Sequence, residues 1–175
     1  MSKFQLFSTK NFKKISRIFL AILICLGLLF LIAFPSFNAK VRNTKQSEGK
    51  QILSGLIKNQ NYQLKHYNKF TPKLDNLYQG IAQGTHNYQY KMKVESEQVL
   101  FEVSANLPRI KSYSGALFIV KMESSMVGVG GICQSDNPTS IPPTPILPPT
   151  PDSKEIRCPA GSQLIEAMQF GNESD

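Results

Sequence analysis

From Ile18 to Phe34 the chain runs for seventeen residues without a charge, and Pro35 closes the run. As a helix at about 1.5 Å per residue it covers roughly 25 Å, near the thin end for crossing a bilayer. Ile15, beyond an Arg17 that can snorkel, and Phe37 extend the apolar character at the two ends. Ahead of the run stand Lys3, Lys10, Lys13, Lys14 and Arg17, and no acid appears before Glu48. A basic tail of this kind holds the N-terminus in the cytoplasm and sends the rest of the chain outward. Lys40, Arg42 and Lys45 on the far side weaken the asymmetry without reversing it. The expectation is a single-pass inner (plasma) membrane protein with its C-terminal domain periplasmic or extracellular.

A cleaved leader is the competing reading, and cleavage needs small residues one and three positions before the cut. A cut after Ala39 puts Phe37 at the outer position, and a cut after Ala33 puts Leu31 there. Lipoprotein processing at Cys25 meets Leu23 and Ile24 where small residues belong. The run therefore reads as an uncleaved anchor.

Net charge is +8, but its location matters more than its size. Residues 1–50 hold nine of the twenty Lys and Arg against one acid, which leaves eleven basic and eleven acidic side chains for the remainder. Phosphate binding needs Lys and Arg clustered on a folded face. The basic excess instead follows the membrane topology, and nucleic-acid binding is not expected.

Beyond Pro35, Ile52, Leu53, Leu56, Ile57, Leu64 and Tyr67 recur at helical steps and form one apolar face. Gln46, Glu48, Lys50, Asn59 and Lys65 mostly fall on the other side. Only Pro35 interrupts this pattern between Phe12 and Tyr67, and a proline there kinks the helix by removing one hydrogen bond. Gly49 and Gly55 each cost about 1 kcal/mol of helix propensity, and both would permit close packing against a sheet. Asn68 to Gly84 is rich in turn residues, with Leu74, Leu77 and Ile81 as apolar anchors.

Alternation then takes over. Tyr88, Tyr90, Met92 and Val94 oppose Gln89, Lys91 and Lys93, and Val99, Phe101, Val103 and Ala105 repeat the pattern after a turn at Ser96-Glu97. Tyr113 to Met122 reads as a central strand, apolar on both faces from Ala116 to Val120. Ser125 to Cys133 is a fourth candidate, weakened by Gly128, Gly130 and Gly131, a cluster that reads as a bend. A helix followed by an antiparallel meander makes an α+β domain.

Pro138 to Pro151 holds seven prolines in fourteen residues. Polyproline II is the default there, and an exposed spacer is preferred to a ligand for a proline-binding module. The stretch separates Cys133 from Cys158. In an oxidising compartment two such cysteines pair, the alternative being two unrelated free thiols. A bond would contribute roughly 3–4 kcal/mol in the chain-entropy model and tie the C-terminal segment back to the sheet. Cys25 lies in the apolar run.

No catalytic constellation emerges. His66 and His86 lie apart from each other and lack ligand-like spacing to either cysteine, and no Gly-rich phosphate loop precedes a Lys-Ser or Lys-Thr pair. Neither enzyme activity, nor a cofactor, metal or small-molecule substrate is expected.

Several stretches taken in order resemble type IV pilin-like proteins, more closely the general secretion pathway G/H type found in cyanobacteria. These are Ala33-Phe34-Pro35-Ser36-Phe37, Lys45-Gln46-Ser47-Glu48-Gly49-Lys50-Gln51, Asn59-Gln60-Asn61-Tyr62, Tyr67-Asn68-Lys69-Phe70-Thr71-Pro72 and Leu74-Asp75-Asn76-Leu77. Ser112-Tyr113-Ser114-Gly115-Ala116 and Ile132-Cys133-Gln134-Ser135 follow, so the resemblance covers roughly residues 18–135. It implies a long N-terminal helix, membrane-spanning in its first half and packed in its second, against a small antiparallel sheet. The chain then divides into a basic cytoplasmic tail (1–17), a transmembrane helix (18–34), a pilin-like extracytoplasmic domain (35–135), a Pro-rich loop (136–157) and a C-terminal segment (158–175). Other pilin-like or secretion-system proteins are the implied partners.

The family's peptidase site departs from this pattern. Pilins carry Gly before Phe-Thr-Leu-Ile-Glu, but here Lys13 stands at the glycine and Lys14-Ile15-Ser16-Arg17-Ile18 follows. Neither the cut nor the buried glutamate is provided, so the tail is expected to stay attached. Two functions follow as expectations: a structural or accessory component of a type IV pilus or type II secretion system, or a membrane-tethered extracytoplasmic binding module on the same scaffold.

Overall fold

The computed structural model describes residues 9–122, 125–150 and 153–171, with backbone alone for 9–15, 17, 31–36, 122 and 125. Helix α1 spans Thr9–Tyr67 and is unbroken in backbone assignment at Pro35, Gly49 and Gly55. The kink expected at Pro35 turns on a side chain outside the described residues. The chain forms two units, Met1–Val41 and Arg42–Asp175. In the second unit α1 stops at Asn68, whose left-handed backbone (φ 53°) turns its N–H back to the Leu64 carbonyl at 2.9 Å. Asparagine tolerates that conformation and caps the last turn.

Five antiparallel strands follow: β1 (Tyr88–Val94), β2 (Gln98–Ala105), β3 (Tyr113–Met122), β4 (Ser125–Ser135) and β5 (Ser162–Phe170), ordered β1-β2-β3-β4-β5. The expected hairpin pairs Val94 with Val99 across its turn, and the doubly apolar β3 is central as expected. Because side chains alternate, one face carries Tyr88, Tyr90, Val99, Phe101, Val103, Tyr113, Leu117 and Ile132. These pack with Leu53, Leu56 and Ile57 of α1 in a single core.

Three glycines let the helix approach. A Cβ on Gly115 would come within 2.9 Å of both Ile57 and Leu53, one on Gly130 within 3.1 Å of Ile57, and one on Gly128 within 2.9 Å of the Asn61 side chain. The cluster expected to bend the chain is thus fully paired strand, with the helix in the space left by Gly128 and Gly130 and Ile156 in that left by Gly131. The two helix glycines differ: Gly49 sits against the Tyr88 ring, whereas nothing lies within 4 Å of a Cβ on Gly55. Close packing therefore explains Gly49 and not Gly55.

The helix's two faces are also less segregated than expected. Tyr67 is exposed, while Gln60 is fully buried. Gln46, Glu48 and Lys50 all bond to the sheet side rather than facing away from it.

Strand β5 was not legible from alternation. A bulge between Ile132 and Cys133 pairs Ile132 with Glu166 but Cys133 with Leu164. Leu164 consequently packs on one face of the sheet, and Met168 and Phe170 on the other. One extra residue reverses the sidedness of everything beyond it.

The Pro-rich stretch is largely exposed on its outer side, as expected, but it covers the sheet and does not serve as a spacer. Its Ile146, together with Ile156 beyond it, packs on Ala116, Phe118, Val129 and Cys133 on the outer face of the sheet. Ser112 and Ser114 donate to the carbonyls of Thr139 and Pro143, and Leu147 pairs with Arg157 as an isolated bridge. Prolines lack the N–H to extend the sheet but keep carbonyls that accept from it. That property lets a strand-incompatible sequence roof a β3 face that would otherwise be apolar and wet.

Candidate functional site

In the first unit, Ile18, Phe19, Leu20, Ile22, Leu23, Ile24, Leu26, Leu28, Leu29 and Phe30 are all exposed, from 50% at Ile22 to 65% at Phe30. They encircle the helix, and a helix apolar all round belongs in a core or in lipid. At about 25 cal/mol per Å², leaving such a surface in water is strongly unfavourable. Among the described residues no helix is long and apolar enough to cross a membrane. The described side chains of the run end at Phe30, so its last four residues, 31–34, fall outside that description. Cys25 is an exposed free thiol on this surface.

In the second unit, polar groups lock the helix to the sheet around the apolar core. The Tyr113 hydroxyl donates to the Gln46 carbonyl at 3.0 Å and accepts from the Gln134 amide at 3.0 Å. Gln46 Oε1 accepts the Lys111 N–H at 3.1 Å. Glu48 accepts from the Asn87 amide at 2.5 Å. Glu166 of β5 accepts from Ser54 at 2.8 Å and lies 3.4 Å from Lys50 Nζ. Gln60 closes the set from inside the core: its amide donates to the Thr71 carbonyl at 2.7 Å, and its oxygen accepts the Thr71 N–H at 3.0 Å. This exchange reproduces a backbone pairing and seats the 68–84 connection, whose Leu77 and Ile81 are buried. A lone Gln within an apolar helical face was the available signal for it.

Tyr88, Tyr90 and Tyr113 cluster beneath this ring, with Tyr88 centred 6.4 Å from Tyr90 and 5.9 Å from Tyr113. Burial pushes all three phenols above their ordinary range, and for Tyr90 the Glu48 carboxylate adds to the effect. All three are neutral packing groups at physiological pH, and Tyr88 and Tyr113 also donate hydrogen bonds. Asn87 Oδ1 and the Tyr90 hydroxyl are buried without a hydrogen-bond partner among the described residues.

Cys133 and Cys158 are joined, with Cα atoms 5.6 Å apart across 25 residues of sequence. His66 and His86 are both exposed and on separate elements, His66 stacking on Tyr62 with ring centroids 4.1 Å apart. Among the described residues no three His, Cys, Asp or Glu converge as a metal site. A groove of about 390 Å³ opens between the end of α1 and the β3–β4 end of the sheet, walled by Leu64, Ile119, Val127 and Phe170 with Asn61 and Lys65 at its polar side. Its size is that of a small-molecule cleft, but it gathers no nucleophile–base pair.

No curated protein and no solved structure gives a significant match to the chain. A family model does, that of type IV pilin-like G and H proteins, over residues 46–159. The matched span contains the packed half of α1, strands β1 to β4, the Pro-rich cover and both bonded cysteines, and it begins after the apolar run. With a helix laid on an antiparallel meander across most of its length, this chain belongs to the type IV pilin-like G and H family.

Proposed function

We propose that this protein is a membrane-anchored structural or accessory component of a type IV pilus or type II secretion system. The observation that carries the reading is one continuous helix with two opposite requirements. Its Leu53, Leu56 and Ile57 are sealed against the pilin-like sheet, while its Ile18–Phe30 stretch exposes large apolar side chains throughout. A bilayer meets the second requirement, with the full uncharged run to Phe34 providing the span and the basic tail setting a cytoplasmic N-terminus. The extracytoplasmic domain acts by packing against other pilin-like or secretion-system proteins and carries no catalytic role.

Lys13 and Ile18, standing where the family's cleavage glycine and glutamate belong, favour a second reading in which the domain stays tethered as a binding module and does not polymerise. Shearing cells and comparing the filament and membrane fractions separates the two. Recovery in sheared filaments supports the structural component, and recovery in membranes alone supports the tethered module. Intact mass of the membrane-extracted protein tests the anchor itself. The full-length mass, near 19.6 kDa, is expected. A mass lacking the residues through Lys13, with a methylated new N-terminus, overturns retention of the tail.

A further inference from the structure

We propose that the two legs of the Pro-rich connection, residues 136–150 and 153–161, form a flap hinged on the β4–β5 ladder and latched shut by the Cys133–Cys158 bond. The hinge is independent of the disulfide. Ser135 pairs with Ser162, and the Asp136 N–H donates to the Gly161 carbonyl at 2.9 Å, so the two ends of the connection are held together by backbone alone. Gly161 has φ +78°, the left-handed geometry in which glycine makes a sharp turn at no steric cost.

The two legs are fastened differently. The first is stitched to the sheet by the Ser112 and Ser114 hydroxyls and by the Thr139 N–H donating to Ile110. The second meets the sheet through Ile156 lying over Gly131, a 3.3 Å bond from Gln169 to the Lys154 carbonyl, and the disulfide, and Arg157 exchanges two 3.0 Å backbone bonds with Leu147 of the first leg. Beneath the flap lies the apolar patch of Ala116, Phe118 and Val129. Breaking the covalent bond therefore leaves the returning leg held by non-covalent contacts alone, Ile156, the Gln169 bond and the Leu147–Arg157 bridge to the first leg, while the ladder that carries β5 stays intact.

Opening is a thiol–disulfide exchange with a dithiol reductant. Cys133 is fully buried and Cys158 half-buried, so the incoming thiolate meets Cys158 first. It bonds to the Cys158 sulfur, and Cys133 leaves as a thiolate that takes up a proton. The reductant's second thiolate then displaces Cys158, which is protonated in turn. The reductant ends as a disulfide, and the protein gains two electrons and two protons.

The test compares the oxidised protein, the same protein reduced with a dithiol, and a Cys133→Ala, Cys158→Ser variant. Lys154 and Arg157 are exposed on the second leg and serve as tryptic reporters. Opening the latch should speed cleavage there by at least about tenfold and raise binding of an apolar fluorescent dye, while amide exchange in β1 to β3 stays unchanged. Equal cleavage in the oxidised and reduced forms overturns the latch. Faster cleavage accompanied by faster exchange throughout β1 to β3 overturns the flap, since the bond would then staple the whole domain. Reduction of already folded protein yields the same readouts if the double variant does not fold.

Discussion

Gly49 of α1 lies under the ring of Tyr88, so that a Cβ at the glycine would sit 2.8 Å from Tyr88 Cε2. The ring cannot swing aside, because its hydroxyl is bonded to the Lys111 carbonyl and its faces are packed in the core. Gly49→Ala should therefore destabilise the domain by about 1–3 kcal/mol through overpacking, despite alanine's better helix propensity. Gly55, on the same helix, has open space at its Cβ. Gly55→Ala should stabilise by about 0.5–1 kcal/mol. Urea melts of the two variants check the pair, and a shared sign would refute the packing argument.

Gln60 is the buried side chain on which the 68–84 connection depends. Gln60→Ala leaves the Thr71 N–H and carbonyl without their partner inside the core, at a cost of about 2–4 kcal/mol. Gln60→Glu keeps an acceptor for the N–H but sets a carboxylate against the Thr71 carbonyl, so it should be no better than alanine near neutral pH. Amide exchange at Thr71 should rise selectively in both variants. A variant that melts like the parent would show that the exchange is not holding the connection.

Two buried tyrosines should respond oppositely to loss of the hydroxyl. Tyr113→Phe removes a group that both donates to Gln46 and accepts from Gln134, and should cost about 1–2 kcal/mol. Tyr90→Phe removes a hydroxyl with no partner among the described residues, and should be neutral or stabilising by up to about 1 kcal/mol. Chemical denaturation of both variants decides the point, and a large loss at Tyr90 would mean its hydroxyl is bound in solution.

The same burial sets an alkaline limit on stability. In the unfolded chain these phenols ionise near pH 10, whereas Tyr88, Tyr90 and Tyr113 keep their protons to higher pH in the fold. Above about pH 10 the unfolded state binds fewer protons than the native one, so stability falls as pH rises and is fully retained below it. Spectrophotometric titration should show three of the six tyrosines ionising only as the domain unfolds. Their ionisation with the fold intact would contradict the burial.

How much of the fold was legible in the sequence depends on which rules are local. The helical spacing of Leu53, Leu56 and Ile57 and the alternation through β1 and β2 depend only on neighbours along the chain, and both led to the observed elements. The resemblance identified the family. The remainder depended on distant partners. Gly128, Gly130 and Gly131 look like a bend until a helix is laid across the first two and Ile156 across the third, and the prolines look like a spacer until a second apolar face needs a roof. Tyr67, expected on the apolar face, is exposed and Gln60 is buried because the helix ends over a connection that offers backbone groups to an amide and no cover to a tyrosine. The two cysteines were identified as a pair from compartment and number, but their part in closing a flap required the β4–β5 register.

The anchor makes the last prediction. If Ile18–Phe34 sits in lipid, Leu26 and Leu29 lie near its middle, where an arginine costs about 2.5–3.5 kcal/mol on the insertion scale. The Leu26→Arg, Leu29→Arg double variant should leave the carbonate-resistant membrane fraction and be lost to aggregation or proteolysis. Asn38→Arg, at an exposed site beyond the run, should fractionate as the parent does. Ile18→Glu separates anchoring from assembly, because it restores the family's acid at the edge of the run, where snorkelling keeps the cost low. That variant should remain in the membrane. A double-arginine variant that still resists carbonate extraction would mean the exposed apolar surface is covered by protein and not by lipid.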